Sequence, residues 1–97
     1  MTVHHIVLLE FDGELSDAGV EEMFEAIGGL LKQILGVMDV NWGRNFASRA
    51  SNVTHAAIVT LKDRRSQAGY GPHPNHVEVQ QMLKPHIKPL SVVDIET

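Results

Sequence analysis

Ninety-seven residues, 43% of them hydrophobic, suffice for one domain that buries roughly 60–65% of the surface its unfolded chain would expose, and leave no room for a second. Eight lysines and arginines against 12 aspartates and glutamates give a net charge of −4, the wrong sign for a polyphosphate partner, so nucleic-acid binding is disfavoured. The absence of cysteine excludes disulfide and thiolate chemistry, and no apolar run approaches the roughly 20 residues that a membrane span needs.

Val3 to Phe11 is short, rich in β-branched and large aliphatic residues and closed by Asp12-Gly13, which predicts a first strand. Alternation places Val3, His5, Val7, Leu9 and Phe11 on one face and His4, Ile6, Leu8 and Glu10 on the other. Both faces carry apolar side chains, so the strand is expected to be covered on both sides. No basic leader or small-residue cleavage site precedes it, and a cytoplasmic protein is the expectation.

Ser16 is placed to cap a helix whose first turns carry Asp17, Glu21 and Glu22. Val20, Met23, Phe24, Ile27, Leu30, Leu31, Ile34 and Leu35 recur at steps of three and four, predicting an apolar stripe along a helix that ends near Gly36. Gly28-Gly29 inside it costs about 1 kcal/mol per glycine relative to alanine, which calls for compensating packing or a bend.

Val37 to Arg44 alternates as a second strand, Asn45 to Asn52 reads as a loop, and His55 to Leu61 resumes as a third strand. Asp63 can cap a short helix, but Gly69, Gly71 and Pro72 are expected to interrupt it before Tyr70. Pro74 suits the first position of a helix running to Leu83, with His73 meeting the unpaired N–H groups at its start. Lys84-Pro85 ends that helix, and Ser91 to Ile95 makes a last strand.

The order β-α-β-β-α-β is a split unit that folds as a four-stranded antiparallel sheet with both helices on one face, an α+β fold. The other face then needs a cover, and residues 1–97 form a single domain with no third layer to supply one. A second copy packing its own sheet against the first is the simplest cover, burying apolar area worth about 25 cal/mol per Å², so a homodimer through the sheet faces is predicted.

Several segments now carry a resemblance. The opening Val3-His4-His5-Ile6-Val7-Leu8-Leu9-Glu10-Phe11 is followed by Gly36-Val37, Trp42-Gly43 and Thr54-His55-Ala56. Tyr70, His73-Pro74 and His76, with the closing Val92-Val93-Asp94, complete an ordered set that resembles the stress-responsive A/B barrel (Dabb) family, within the dimeric α+β barrel group. The resemblance spans nearly the whole chain. It implies two ferredoxin-like subunits whose sheets face each other to form a barrel, with a cavity between sheet and helices in each. The family includes a plant polyketide cyclase that carries out an intramolecular aldol condensation, and the Tyr-x-x-His-Pro-x-His segment is similar to its active-site region. That likeness implies His76 as the catalytic base, Tyr70 as the phenol beside it and His5 as a cavity-lining histidine. The segment departs from the cyclase at Gly69, Gly71 and Pro72, where the cyclase has bulkier residues.

The residue types suit such chemistry. A neutral His76 in an apolar cavity can remove a proton α to a carbonyl, while Tyr70, with an ordinary pKa near 10, is a poor base and a better donor to the developing enolate oxygen. This step needs no cofactor, and none is expected. His5, Val7, Leu9 and Trp42 are expected to line the pocket, with a small apolar carbonyl compound as the ligand; Trp42 has a competing and stronger claim as core. His76 has a structural alternative, a hydrogen bond to a backbone carbonyl that holds the Pro74 helix against the sheet, and a buried Tyr70 needs only some partner. His73 and His76, three apart, raise a metal reading, but two ligands are too few without a third from His5, His55 or a carboxylate, and no metal is expected. His55 is expected to be satisfied locally, His86 to lie at the surface, and Arg44, Arg49, Arg64 and Arg65 to be solvated. Two functions stay open: a cofactor-independent enzyme acting on a polyketide-like or other carbonyl compound, or a non-catalytic stress-related or small-molecule-binding homodimer.

Overall fold

In the computed structural model, which describes residues 1–48 and 52–97, the elements are β1 (Val3–Phe11), α1 (Asp17–Leu31), β2 (Val37–Arg44), β3 (His55–Leu61), α2 (Arg64–Tyr70), α3 (Pro74–Leu83) and β4 (Ile87–Glu96). Arg49 and the middle of the Asn45 to Asn52 loop lie outside the described residues. The four strands form one antiparallel sheet in the order β2-β3-β1-β4, the ferredoxin-like arrangement, with β1 paired on both sides. Val3, Leu9 and Phe11 of β1, Val40 of β2 and Val59 and Leu61 of β3 are buried under the helices. Among the described residues, none forms a layer over the other face. Register places Asn41, Ile58, Ile6 and Val93 in one row across that face, flanked by Gly43, Ala56, Leu8 and Ser91.

Ser16 caps α1 by accepting the Gly19 N–H at 3.0 Å. The helix stops at Leu31, five residues short of the expected end, because the chain tightens into successive turns: Ile34 N–H donates to Leu31 C=O and Val37 N–H to Ile34 C=O. Gly36, at φ +94°, then turns the chain into β2. Ile34 stays buried from its turn, but Leu35, expected on the apolar stripe, is 95% exposed. At Gly28, packing supplies the compensation. A Cβ there would lie 3.2 Å from Trp42 Cζ3, so the missing side chain is what lets the indole approach the helix.

Contrary to expectation, α2 continues through Gly69 and carries Tyr70 as its last residue. The Asp63 carboxylate accepts the Ser66 N–H at 2.8 Å, and burial of Tyr70 to 5% exposure secures the far end of the helix against the cost of Gly69. The connection to α3 is short and pinned. His73 N–H donates to Tyr70 C=O, the His73 Nδ1 accepts the Asn75 N–H at 3.0 Å, and Pro74 opens α3. Asn75 Nδ2 donates to Leu30 C=O at 2.9 Å, tying this start to the end of α1.

β4 is longer than the predicted Ser91 to Ile95. Past a register shift at Leu8/Leu9 it goes on pairing with β1, Leu9 to Phe11 facing Pro89 to Ile87, and a proline fits because this is an edge strand. His86, expected at the surface, is half-buried with its Nδ1 enclosed; its backbone N–H donates to Leu83 C=O and its backbone C=O accepts from Asp12 N–H at the end of the sheet. Between sheet and helices the buried side chains form two clusters. One contains Val3, Ile27, Leu31, Val59, Leu61, Tyr70 and Val79, the other Leu9, Phe11, Val20 and Phe24.

Candidate active site

A cavity of about 470 Å³ opens between those two clusters, taking walls from each. Its sheet wall is His5, Val7 and Leu9 of β1 with Ala57 and Val59 of β3; α1 contributes Phe24, Ile27 and Leu31. Tyr70, His76, Val79 and Leu83 close the side formed by α2 and α3, and the exposed Gln80, Lys84 and Val92 mark the mouth. The lining is overwhelmingly apolar, with His5 and His76 beside Tyr70 and Gln80 and Lys84 at the mouth, the composition of a small-molecule site.

The His76 ring packs beside Tyr70 with centroids 4.5 Å apart and planes at 47°. Its Nδ1 lies 2.8 Å from Gly71 C=O. A carbonyl only accepts, so Nδ1 carries a proton, and in the neutral ring the lone pair lies on Nε2. The bond to a backbone carbonyl that the sequence allowed is therefore present, but it stays within the α2–α3 connection and does not reach the sheet. It fixes the tautomer that a base requires. Burial pushes the Tyr70 phenol up to about 12, so near neutrality it is a donor and not an anion.

On the other side of Tyr70 stands His5, with centroids 5.6 Å apart in an edge-on arrangement. Its Nδ1 lies 2.6 Å from Asp94 Oδ1 on β4. Three imidazole and phenol rings from β1, α2 and α3 thus meet at one end of an apolar cavity. His5, Val7, Leu9, Tyr70 and His76 share it. Trp42 does not. Its indole lies behind Phe24, stacked on that ring at 8° and 5.6 Å, and its Nε1–H donates to Glu21 Oε2 at 3.1 Å. The strand parity was right for Trp42, but Phe24 reaches the cavity first.

His55 is held by Thr54 Oγ1 at 3.0 Å and packs edge-on against Phe11, with centroids 4.9 Å apart. Burial, and then the Arg44 guanidinium, lower its pKa below the ordinary value. His73 Nδ1 accepts at the start of α3 and His76 Nδ1 donates to Gly71 C=O, and among the described residues neither belongs to a group of three or more side chains whose ligating atoms come together. Asp12, Glu14 and His86 bring one ligating atom each within 4.8 Å of one another on two turns, but both carboxylates are exposed and Asp12 Oδ1 already accepts the Glu14 N–H. The residues that sequence reasoning missed include Asp94, the α1 wall and the cavity-facing side chains of β3 and α3. Asp94 was detectable in principle as the single charge in Val92-Val93-Asp94-Ile95; Phe24, Ile27 and Leu31 carry no mark that separates cavity wall from core.

The profile of the Stress responsive A/B Barrel Domain (Dabb) matches residues 3–97. The chain belongs to the Dabb family. Within comparable lengths it is 28% identical over 96 residues to olivetolic acid cyclase from Cannabis sativa, covering 97% of this chain and 95% of the cyclase. Hydroxynitrile lyase from Passiflora edulis superposes with a TM-score of 0.83 at 20% identity, over 97% of this chain and 91% of the lyase. A dimeric ferredoxin-like protein from Thermobifida fusca superposes with a TM-score of 0.81 at 21% identity, over all of this chain and 92% of that one. The Dabb fold thus has relatives named as enzymes as well as relatives known by their assembly. Among the described residues, no helix is long and apolar enough to cross a membrane.

Proposed function

We propose that this Dabb protein is a cofactor-independent enzyme that catalyses proton transfer at carbon next to a carbonyl in a small apolar compound, with His76 as base and Tyr70 as donor to the enolate oxygen. The observation that carries the reading is the His76 tautomer. With Nδ1–H given to Gly71 C=O, Nε2 is a lone pair on a ring that lines a largely apolar cavity beside a phenol that stays protonated. The base takes the proton from carbon while the electron pair moves into the carbonyl, whose oxygen gains charge where the Tyr70 hydroxyl can donate to it. The likeness to a cyclase and the fold shared with a hydroxynitrile lyase support proton chemistry as a class without selecting a substrate.

The assembly in this reading is a homodimer through the open sheet face, supported by the exposed Ile58, Val93 and Ile95 on that face and by the dimeric state of the Thermobifida fusca neighbour. The test is incorporation of deuterium from D₂O into methyl hexyl ketone, followed by proton NMR. Catalysed exchange that falls about a hundredfold or more in His76→Ala, with an unchanged circular dichroism spectrum, is the expected result. Exchange no faster than in buffer would leave the non-catalytic binding protein as the surviving reading.

A further inference from the structure

Resting on that proton-transfer reading, we infer that His5 is a second catalytic residue, the acid that protonates the substrate oxygen, and that Asp94 is its positioning residue. Tyr70 stands between two imidazoles, and they are backed differently. His76 Nδ1 faces a neutral peptide carbonyl at 2.8 Å, whereas His5 Nδ1 faces a carboxylate oxygen at 2.6 Å. Ionised Asp94 can only accept, so Nδ1 of His5 keeps its proton in both ring states, and any change of protonation takes place at Nε2. A charged acceptor at 2.6 Å holds the His5 ring more firmly than a neutral carbonyl at 2.8 Å holds that of His76. Two like groups in unlike settings divide the roles of acid and base.

The proton inventory supports this division. Removing a proton from carbon leaves His76 as an imidazolium and places negative charge on the substrate oxygen. Tyr70, held protonated by burial, can donate a hydrogen bond to that oxygen but is a poor source of the proton itself. His5 Nε2–H supplies it: the N–H bond breaks, the O–H bond of the enol forms, and His5 returns to the neutral Nδ1–H tautomer. Each histidine then exchanges with water, and neither electrons nor protons are left over. His5 has a route to water. Its side chain is 16% exposed while that of Asp94 is 44% exposed, bordering a shallow groove with Arg64, Gln67 and Glu96. His5 contacts Asp94 on β4 and Tyr70 on α2, and His76 and Lys84 line the same cavity; Arg64 and Glu96 pair beside Asp94 in the neighbouring groove.

Two measurements test the assignment. Nitrogen-15 spectra of the ligand-free protein should show His5 as the neutral Nδ1–H tautomer in its deprotonated state, and Asp94→Ala should release it to a mixture; an Nε2–H tautomer in the wild-type protein overturns the inference. In the methyl hexyl ketone exchange assay, His5→Gln should lower kcat about a hundredfold and Asp94→Asn about tenfold, with KM moving less than about twofold in both. Asp94→Asn keeps the shape of the side chain and so guards against a fold effect in His5→Gln. Full activity in His5→Gln with loss in His76→Ala would overturn this inference and leave the proposed function standing. No exchange by the wild-type protein would overturn both.

Discussion

Replacing Ile58 by aspartate at the centre of the open sheet face should dissolve the proposed homodimer while leaving the protomer folded. Ile58 lies between Ile6 and Asn41 in the row that ends at Val93, and Ile58, Val93 and Ile95 are 38%, 44% and 45% exposed in the protomer. Complete burial of such side chains stabilises by about 1.5–3 kcal/mol, so the part still exposed is worth about 1 kcal/mol each. Two-fold symmetry counts every contact twice. Ile58→Asp therefore removes about 2 kcal/mol of apolar burial and adds two carboxylates without partners, at about 3 kcal/mol or more. Their sum predicts at least a thousandfold rise in the dissociation constant. Sedimentation velocity across a concentration series reads this directly, and the melting temperature of the wild-type protein, unlike that of the variant, should rise with concentration. The far-ultraviolet circular dichroism should not change, because Ile58 already meets solvent in the protomer. A variant that sediments as a dimer with wild-type affinity would refute the assignment of this face, as would a wild-type protein that stays monomeric well above about 1 μM.

Two further predictions concern the interior. Tyr70 is the single tyrosine, so the phenolate absorbance reports it alone and should appear near pH 12 in the folded protein. Its folded pKa lies above the unfolded value of about 10, so its contribution, about 2–3 kcal/mol, is fully present below pH 10 and lost as pH rises towards 12; Tyr70→Phe should remove that component of the alkaline decline, and an equally steep decline in the variant would contradict it. Gly29→Ala meets nothing within 4 Å and should stabilise α1 by about 0.8–1 kcal/mol, whereas Gly28→Ala presses on an indole held by Phe24 and Glu21 and should gain nothing or lose stability in denaturant melts. Equal gains at both positions would mean that Trp42 moves freely.

The boundaries of β1, β2, β3 and α3 were legible because each is framed by local chemistry: alternation closed by Asp12-Gly13, a strand opening after Gly36, and a proline at the first position of α3. The end of α1 was not, because apolar spacing continues through Ile34 and Leu35 although only Ile34 is buried, from a turn and not from a helix. Gly69 and Gly71 argued against a helix through Tyr70, and tertiary burial of that ring prevailed over local propensity. For the site, parity put His5, Val7 and Leu9 on the correct face, and the resemblance brought Tyr70 and His76 to it. What no local pattern contains is which side chain arrives first. Phe24 displaced Trp42 from the cavity, and Asp94 met His5 through strand pairing across 89 positions of chain.

β1 runs through the middle of the sheet with His5, Val7 and Leu9 turned to the cavity and Ile6 and Leu8 turned to the open face. Neighbouring residues of one backbone thus serve two different encounters. In the proposed dimer, whatever restrains this strand from one side spares the other side part of that ordering cost, which would link occupancy of the cavity to subunit association. A chain with this layout can diverge in substrate through its odd positions and in assembly through its even ones. The two changes remain coupled by the stiffness of a single strand.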